Sequence, residues 1–136
     1  MEKLMALDVG DRTIGVALSD GLGITAQGLK TIKRKSLQED LEELKNIIDG
    51  NQVKKLIVGM PKNMDGSMGK QADKIVGFVN FIKKRIAIDI EYWDERLTSK
   101  FAEGMMIEGD LKRKERKEKI DKMAAQAILQ NYMDSK

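Results

Sequence analysis

The 136-residue chain has no cysteine and no histidine. Without cysteine, disulfides and thiolate zinc sites are excluded. Without histidine, imidazole can serve neither as general base nor as metal ligand, and Ser-His-Asp chemistry is excluded with it. Any catalysis must use carboxylates, lysines, arginines, hydroxyls and backbone. Proline occurs once, at Pro61, and aromatics are 4% of the chain, too few for a base-stacking platform. No apolar run approaches the roughly 20 residues of a membrane-spanning helix. There is no GxxxxGK[ST] pattern, so a P-loop is out. The opening Met1-Glu2-Lys3-Leu4-Met5 leads straight into a strand pattern and lacks a signal-peptide layout. The expected compartment is the cytoplasm, with no membrane partner.

What is present suits a soluble globular domain. Charged residues are 35% and hydrophobic ones 41%, too apolar for intrinsic disorder. At roughly 100–200 residues per domain, residues 1–136 are expected to form one. The net charge of +3 permits a nucleic-acid partner without demanding one.

Hydrophobic periodicity gives the element order β-β-β-α-β-α-β-α-α. Residues 3–9 and 13–19 read as strands, with Gly10-Asp11-Arg12 as the tight turn between them. Residues 24–32 read as a third strand with a bulge at Gly28. Leu37, Leu41, Leu44, Ile47 and Ile48 then fall at helical spacing, with Ser36 as N-cap and Gly50 as the stop. Val53 to Met60 is a compact strand ended by Pro61. Residues 70–84 are helical, and Ile86 to Trp93 alternates as a strand with one face exposed. Thr98 or Ser99 caps a helix to about Glu108, and residues 119–134 form the last helix. A meander followed by crossovers implies an α/β fold with a mixed five-stranded sheet, its last two strands parallel to the first. Between the final helices, Asp110 to Lys119 holds six basic and three acidic residues. Residues 109–119 are expected to be a solvated basic loop, with Arg113 and its neighbours available to phosphates.

Three acidic positions carry the chemical interest. Asp8 sits inside an apolar strand, where an unpaired carboxylate costs several kcal/mol or shifts its pKa until neutral. The bland alternatives are a strand-end cap or a pair with Arg12. Asp94 and Glu95 end the last strand. If that strand parallels the first, both carboxyl ends open on the edge where open α/β sheets place ligands. Alternation leaves open which of the two points at Asp8. Asp121 opens the last helix, where a first-turn acid is also favoured by the dipole. Three carboxylates without histidine or cysteine suit a hard cation, Mg²⁺ or Mn²⁺. Two such ions about 3.5–4 Å apart can activate a water and stabilise a leaving oxygen in phosphodiester cleavage. Gly10 lets backbone approach closely beside Asp8. The Pro61 to Gly69 loop, with Lys62, Asn63, Asp65 and Gly66, follows the fourth strand on the same edge; its glycines, amides and Lys62 could hold phosphates, and an ordinary edge loop of turn residues is the equal alternative.

Four segments together resemble the YqgF family, also called RuvX-like. They are Leu7-Asp8-Val9-Gly10-Asp11-Arg12-Thr13-Ile14-Gly15 onward to Asp20, Val58-Gly59-Met60-Pro61-Lys62-Asn63-Met64-Asp65-Gly66-Ser67, Asp94-Glu95-Arg96-Leu97-Thr98-Ser99, and Ile120-Asp121 with Ala124-Ala125 and Ile128-Leu129-Gln130. They occur in the family's order and span nearly the whole chain. The resemblance implies an RNase H-like fold. It implies a nuclease that matures the 5′ end of pre-16S rRNA, or a Holliday junction resolvase. It carries metal-binding roles onto Asp8, onto the Asp94-Glu95 pair and onto Asp121, and substrate contacts onto Arg12, the Lys62 to Gly66 loop and Arg96. Thr13 stands where many members carry a basic residue, which leaves Arg12 alone for that contact. Two readings from other classes stand beside it. One is a non-catalytic nucleic-acid-binding module. The other starts from Asp8-x-Gly10, which also opens the phosphate hairpin of actin-like ATPases, though those need a second domain. A monomer or weak dimer is open at this stage, and a junction resolvase would require a symmetric dimer.

Overall fold

The computed structural model describes residues 2–61, 69–94 and 113–135, with side chains in the last stretch from Lys122 onward. The first two strands are β1 (Lys3–Val9) and β2 (Thr13–Ser19), followed by β3 (Ala26–Lys33). Then come α1 (Leu37–Asn51), β4 (Val53–Met60), α2 (Lys70–Lys83), β5 (Asp89–Asp94) and a helix, α3, over Arg113–Asp134. The five strands form one sheet in the order β3-β2-β1-β4-β5. β1 is antiparallel to β2 and β2 to β3, while β4 is parallel to β1 and β5 to β4. The carboxyl ends of β1, β4 and β5 therefore share one edge.

Side-chain alternation sends the two faces of the sheet to different partners. Met5, Leu7 and Val9 face α1 and α2, in a core with Ile14, Val16, Leu56, Val58, Leu44 and Ile75. Ala6 faces α3, with Ala17, Ala26, Ile57, Ala125, Ile128 and Leu129. The first face is built from large residues and the second largely from alanines, which lets α3 lie close. A Cβ added at Gly28 would stand 2.7 Å from Lys122 Cγ. The bulge expected there is present, since the ladder steps from Val16–Lys30 to Ala17–Gly28 and leaves Leu29 unmatched.

Polar contacts fix α3 on this face. Gln130 Oε1 accepts from Ala26 N–H at 2.8 Å, its Nε2 donates to Ile24 O at 3.0 Å, and Gln126 Nε2 donates to Ala26 O at 3.1 Å. These amides satisfy backbone groups of the edge strand, where unpaired ladder groups would otherwise invite another chain. On the opposite flank of the same helical turns, Trp93 packs edge-on against Tyr132 at 5.5 Å and donates to Asn131 Oδ1 at 3.1 Å. Lys55 Nζ donates to the Tyr132 hydroxyl at 2.9 Å, and that bond holds the ammonium above the ordinary lysine range. A raised lysine pKa stabilises the fold below the ordinary lysine value and stops doing so only at more alkaline pH.

Five expectations change. β3 begins at Ala26 rather than residue 24, because Asp20 closes the turn first, accepting from Ile24 N–H at 2.8 Å and Thr25 Oγ1 at 3.1 Å. Those bonds hold the Asp20 carboxyl below its usual range. Gly50 does not stop α1, which runs to Asn51 and ends at Gln52 in the left-handed conformation with φ 55°. β5 begins at Asp89 rather than Ile86, because Arg85 and Ile86 N–H still bond Ile82 O at the end of α2, and it has no bare face, for Ile90 and Tyr92 pack towards α1 and α2 while Trp93 packs towards α3. Residues 113–119 are helical rather than loop, as α3 begins at Arg113. Lys, Arg and Glu are good helix formers, and Glu115–Lys119 and Glu118–Lys122 stand at the favourable i, i+4 spacing. The helix expected from Thr98 or Ser99 to Glu108 lies outside the described residues.

Gly77 lies in the interior of α2, and a Cβ added there meets nothing within 4 Å. Gly77→Ala should therefore stabilise the protein by about 0.5–1 kcal/mol through helix propensity alone. Thermal unfolding checks this as a rise of a few degrees in Tm.

Candidate active site at the carboxyl edge of the sheet

Asp8 is the penultimate residue of β1 and is half-buried. It lies on the α3 face, by alternation with Leu4 and Ala6. Directly opposite on β2 is Gly15, and β4 carries Gly59 one step beyond the Leu7–Val58 pair. Glycines thus flank the carboxylate on both neighbouring strands and leave the sheet surface open around it. Among the described residues the carboxylate makes no hydrogen bond and no ion pair. Among the described residues it caps nothing and does not pair with Arg12, so neither bland alternative is seen there.

The turn after β1 is tight. Gly10 N–H donates to Thr13 O at 2.8 Å, and a Cβ on Gly10 would sit 3.1 Å from that oxygen. Arg12 is exposed at the turn, with its side chain unpartnered among the described residues. Three side chains hold this turn from behind. Arg34 Nη1 donates to Gly10 O at 2.8 Å, Gln71 Nε2 donates to Val9 O at 3.3 Å, and Lys74 Nζ lies 3.3 Å from Asp11 Oδ1.

Arg34 is itself held by Asp40, with Nε 3.2 Å from Oδ2. Asp40 is only 3% exposed and accepts Lys35 N–H at 3.0 Å as well. Sequence reasoning passed over this pair. A signal was available: Asp40 stands at i+3 from Leu37 and i−4 from Leu44, inside the apolar stripe of α1, and a carboxylate buried there needs a cation.

Lys122 of α3 stands at Gly28, in the row of Ala6 and Ala17, while Tyr132 stands at Lys55 near the strand starts. Position 121 lies in α3 one turn before the fully buried Ala125, on the side of Lys122 away from Tyr132. The structure thus brings Asp8, Gly10 and Arg12 to one edge, and the described part of α3 crosses the same face of the sheet from Gly28 of β3 to Lys55 of β4. Asp94 is at that edge too, but it shares the face of Ile90 and Tyr92, opposite to Asp8. Arg113 opens α3. Lys62, Asn63, Asp65, Gly66, Glu95 and Arg96 lie outside the described residues, and among those described no three acidic side chains cluster as a cation site. No helix among the described residues is long and apolar enough to cross a membrane.

Comparison with known proteins fits this geometry. The model of the RuvX family, described as Holliday junction resolvase, matches residues 2–135. A protein of Clostridioides difficile named "Putative pre-16S rRNA nuclease" is 52% identical over 134 residues, covering 98% of this chain and 95% of that one. One of the same name from Desulforamulus reducens is 51% identical over 133 residues, covering 98% and 97%. Among solved structures, Thermus thermophilus RuvC in complex with a Holliday junction substrate superposes with a TM-score of 0.61 at 8% identity, covering 99% of this chain and 95% of that one. Fowlpox virus resolvase with junction DNA gives 0.58 at 12%, covering 98% and 97%. Identities that low speak for the fold alone, which is RNase H-like, as the sheet order and strand directions already indicate. The near-complete family match and the two full-length relatives go further, and the chain belongs to the RuvX family.

Proposed function

We propose that this chain is a metal-dependent nuclease of the cytoplasm that hydrolyses phosphodiester bonds of structured RNA at the 5′ end of pre-16S rRNA. The observation that carries the reading is the Asp8 carboxylate, unpartnered among the described residues, standing between Gly15 and Gly59 at the carboxyl edge of the sheet. Residues 1–136 act as one nuclease domain.

The donor set fits a hard cation. Asp8 has its oxygens uncommitted among the described residues, and an uncompensated carboxylate in a half-buried place is stabilised by a divalent ion. Asp94 faces the other side of the sheet, so of the pair Glu95 is the one assigned here. Asp8, Glu95 and Asp121 would hold Mg²⁺ or Mn²⁺. Bound there, the metal supplies Lewis acidity for the attacking water and for the leaving oxygen. The chain's own groups do the rest. Gly10 lets the backbone come within reach of a phosphate. Arg12, Lys62 and Arg96 neutralise phosphate charge, Asn63, Asp65 and Gly66 shape the loop that receives the strand, and Arg113 extends the contact along α3.

A second substrate, four-way DNA junctions, is favoured by the family description and by the RuvC-like fold. Such an enzyme acts on two symmetric strands and needs two copies, whereas a monomer or weak dimer suffices for RNA. The test gives folded protein a pre-16S rRNA 5′ fragment and a synthetic junction, each with Mg²⁺, Mn²⁺ or chelator. Metal-dependent cutting of the RNA is expected. Cutting of the junction alone would move the assignment to DNA, and cutting of neither would leave a nucleic-acid-binding module.

A further inference from the structure

Packing does not fix the Gly10–Arg12 turn. Behind it, on the face opposite α3, lies a cleft of about 430 Å³ whose apolar wall includes Val9, Leu37 and Phe78. The turn is closed by backbone bonds and stands beside this hollow, and three side chains bridge to it from the hollow's lining.

These three differ in strength. Lys74 and Asp11 are both more than 60% exposed, so their pair is screened and contributes little. Gln71 makes a neutral bond at 3.3 Å. Arg34 is different. Its side chain is 20% exposed, its Nε is ion-paired to the buried Asp40, and its guanidinium lies 4.8 Å from the Phe78 ring centroid. Its Nη1 bond to Gly10 O is short and charge-assisted. Its own backbone N–H holds the far side of the same turn, donating to Arg12 O at 2.9 Å. The base of this strut is rooted, since Asp40 lies in the first turn of α1, capped by Ser36 accepting from Glu39 N–H at 3.1 Å.

We propose that Arg34 is a positioning residue: braced by Asp40 and Phe78, it sets the height of the Gly10–Arg12 turn and so presents that backbone and Arg12 to the scissile strand beside Asp8. The inference deepens the nuclease reading and rests on it. Lysine cannot replace arginine here. One ammonium does not reproduce a planar fork that bonds Asp40 through Nε, bonds Gly10 O through Nη1 and stacks on Phe78.

The experiment compares wild type, Arg34→Lys and Arg34→Met, each with and without the stabilising Gly77→Ala. In Arg34→Met, kcat for metal-dependent cleavage should fall about tenfold or more while KM changes less than about threefold, because positioning is felt mainly in the transition state. Arg34→Lys should fall between. Gly77→Ala should raise the melting temperature of Arg34→Met by a few degrees without raising kcat. Amide exchange supplies a readout independent of activity. The Gly10 amide should exchange about tenfold faster in Arg34→Met/Gly77→Ala than in Gly77→Ala alone, beyond any acceleration shared with the amides of β4, which report the global opening. The proposal is overturned if kcat stays within about twofold of wild type, or if it returns with the melting temperature. If the wild type cuts neither substrate, the nuclease reading has failed on its own. Exchange at Gly10 then decides whether Arg34 holds the turn: faster exchange upholds the strut and an unchanged rate removes it.

Discussion

Asp8→Asn should lower metal-dependent cleavage by about 10³-fold, because a metal's stabilisation of transition-state charge amounts to several kcal/mol and about 4 kcal/mol corresponds to that factor. The same substitution should not lower the metal-free melting temperature, and relief of the uncompensated charge should raise it if anything. Asn has nearly the shape of Asp, and among the described residues the Asp8 carboxylate makes no hydrogen bond or ion pair for the fold to lose. The discriminating readout is the response to metal. At 100 times its dissociation constant, a ligand bound only by the folded state adds about 2.7 kcal/mol of stability. Wild-type protein should therefore melt higher as Mg²⁺ or Mn²⁺ is added, and Asp8→Asn should show a flat response. Loss of cleavage with the metal response intact would assign Asp8 to substrate rather than to metal. Cleavage retained within about tenfold would remove it from the site.

Much of this edge of the sheet was legible in sequence, and for a physical reason. An acid in an apolar strand conflicts with its surroundings, so Asp8 announced itself, and the turn chemistry of Gly10-Asp11-Arg12 placed the hairpin beside it. Strand directions followed from connection length, which put Asp94-Glu95 on the same edge as Asp8. What could not be read was which face of the sheet α3 would cover. Asp94 and Glu95 are distinguished only by that, and the answer lies in long-range packing, in Trp93 meeting Tyr132 and Ala6 sharing a core with Ala125. The Arg34–Asp40 strut was hidden for a similar reason. It joins residues close in sequence, but its purpose lies at Gly10, 24 residues away. The start of α3 was misplaced because its first residues carry no apolar period, whereas propensity alone sustains a helix that is anchored further along by Gln126 and Gln130.

That anchoring makes the alanine face the most sensitive region for activity outside the acids themselves. Ala125 is fully buried in a cluster with Ala6, Ala17 and Ile57, one turn after Asp121. Ala125→Leu adds three carbons where the helix already lies against the sheet, and overpacking of this kind costs about 1–3 kcal/mol. The helix relieves the strain by lifting away, and position 121 moves with it. A displacement of about 1 Å at a catalytic constellation is enough to lose about 10² in kcat. Leu44→Ala on the opposite face is the informative contrast. Leu44 is fully buried against the other core, and its truncation should cost more stability, about 2–5 kcal/mol. It leaves α3 and its small-residue seam untouched, so well below the melting temperature kcat should stay near wild type. The expected pattern is inverse: the less destabilised variant is the less active. If instead activity follows stability across the two variants, the separation of α3 from the sheet does not govern the site, and Asp121 has no part in it.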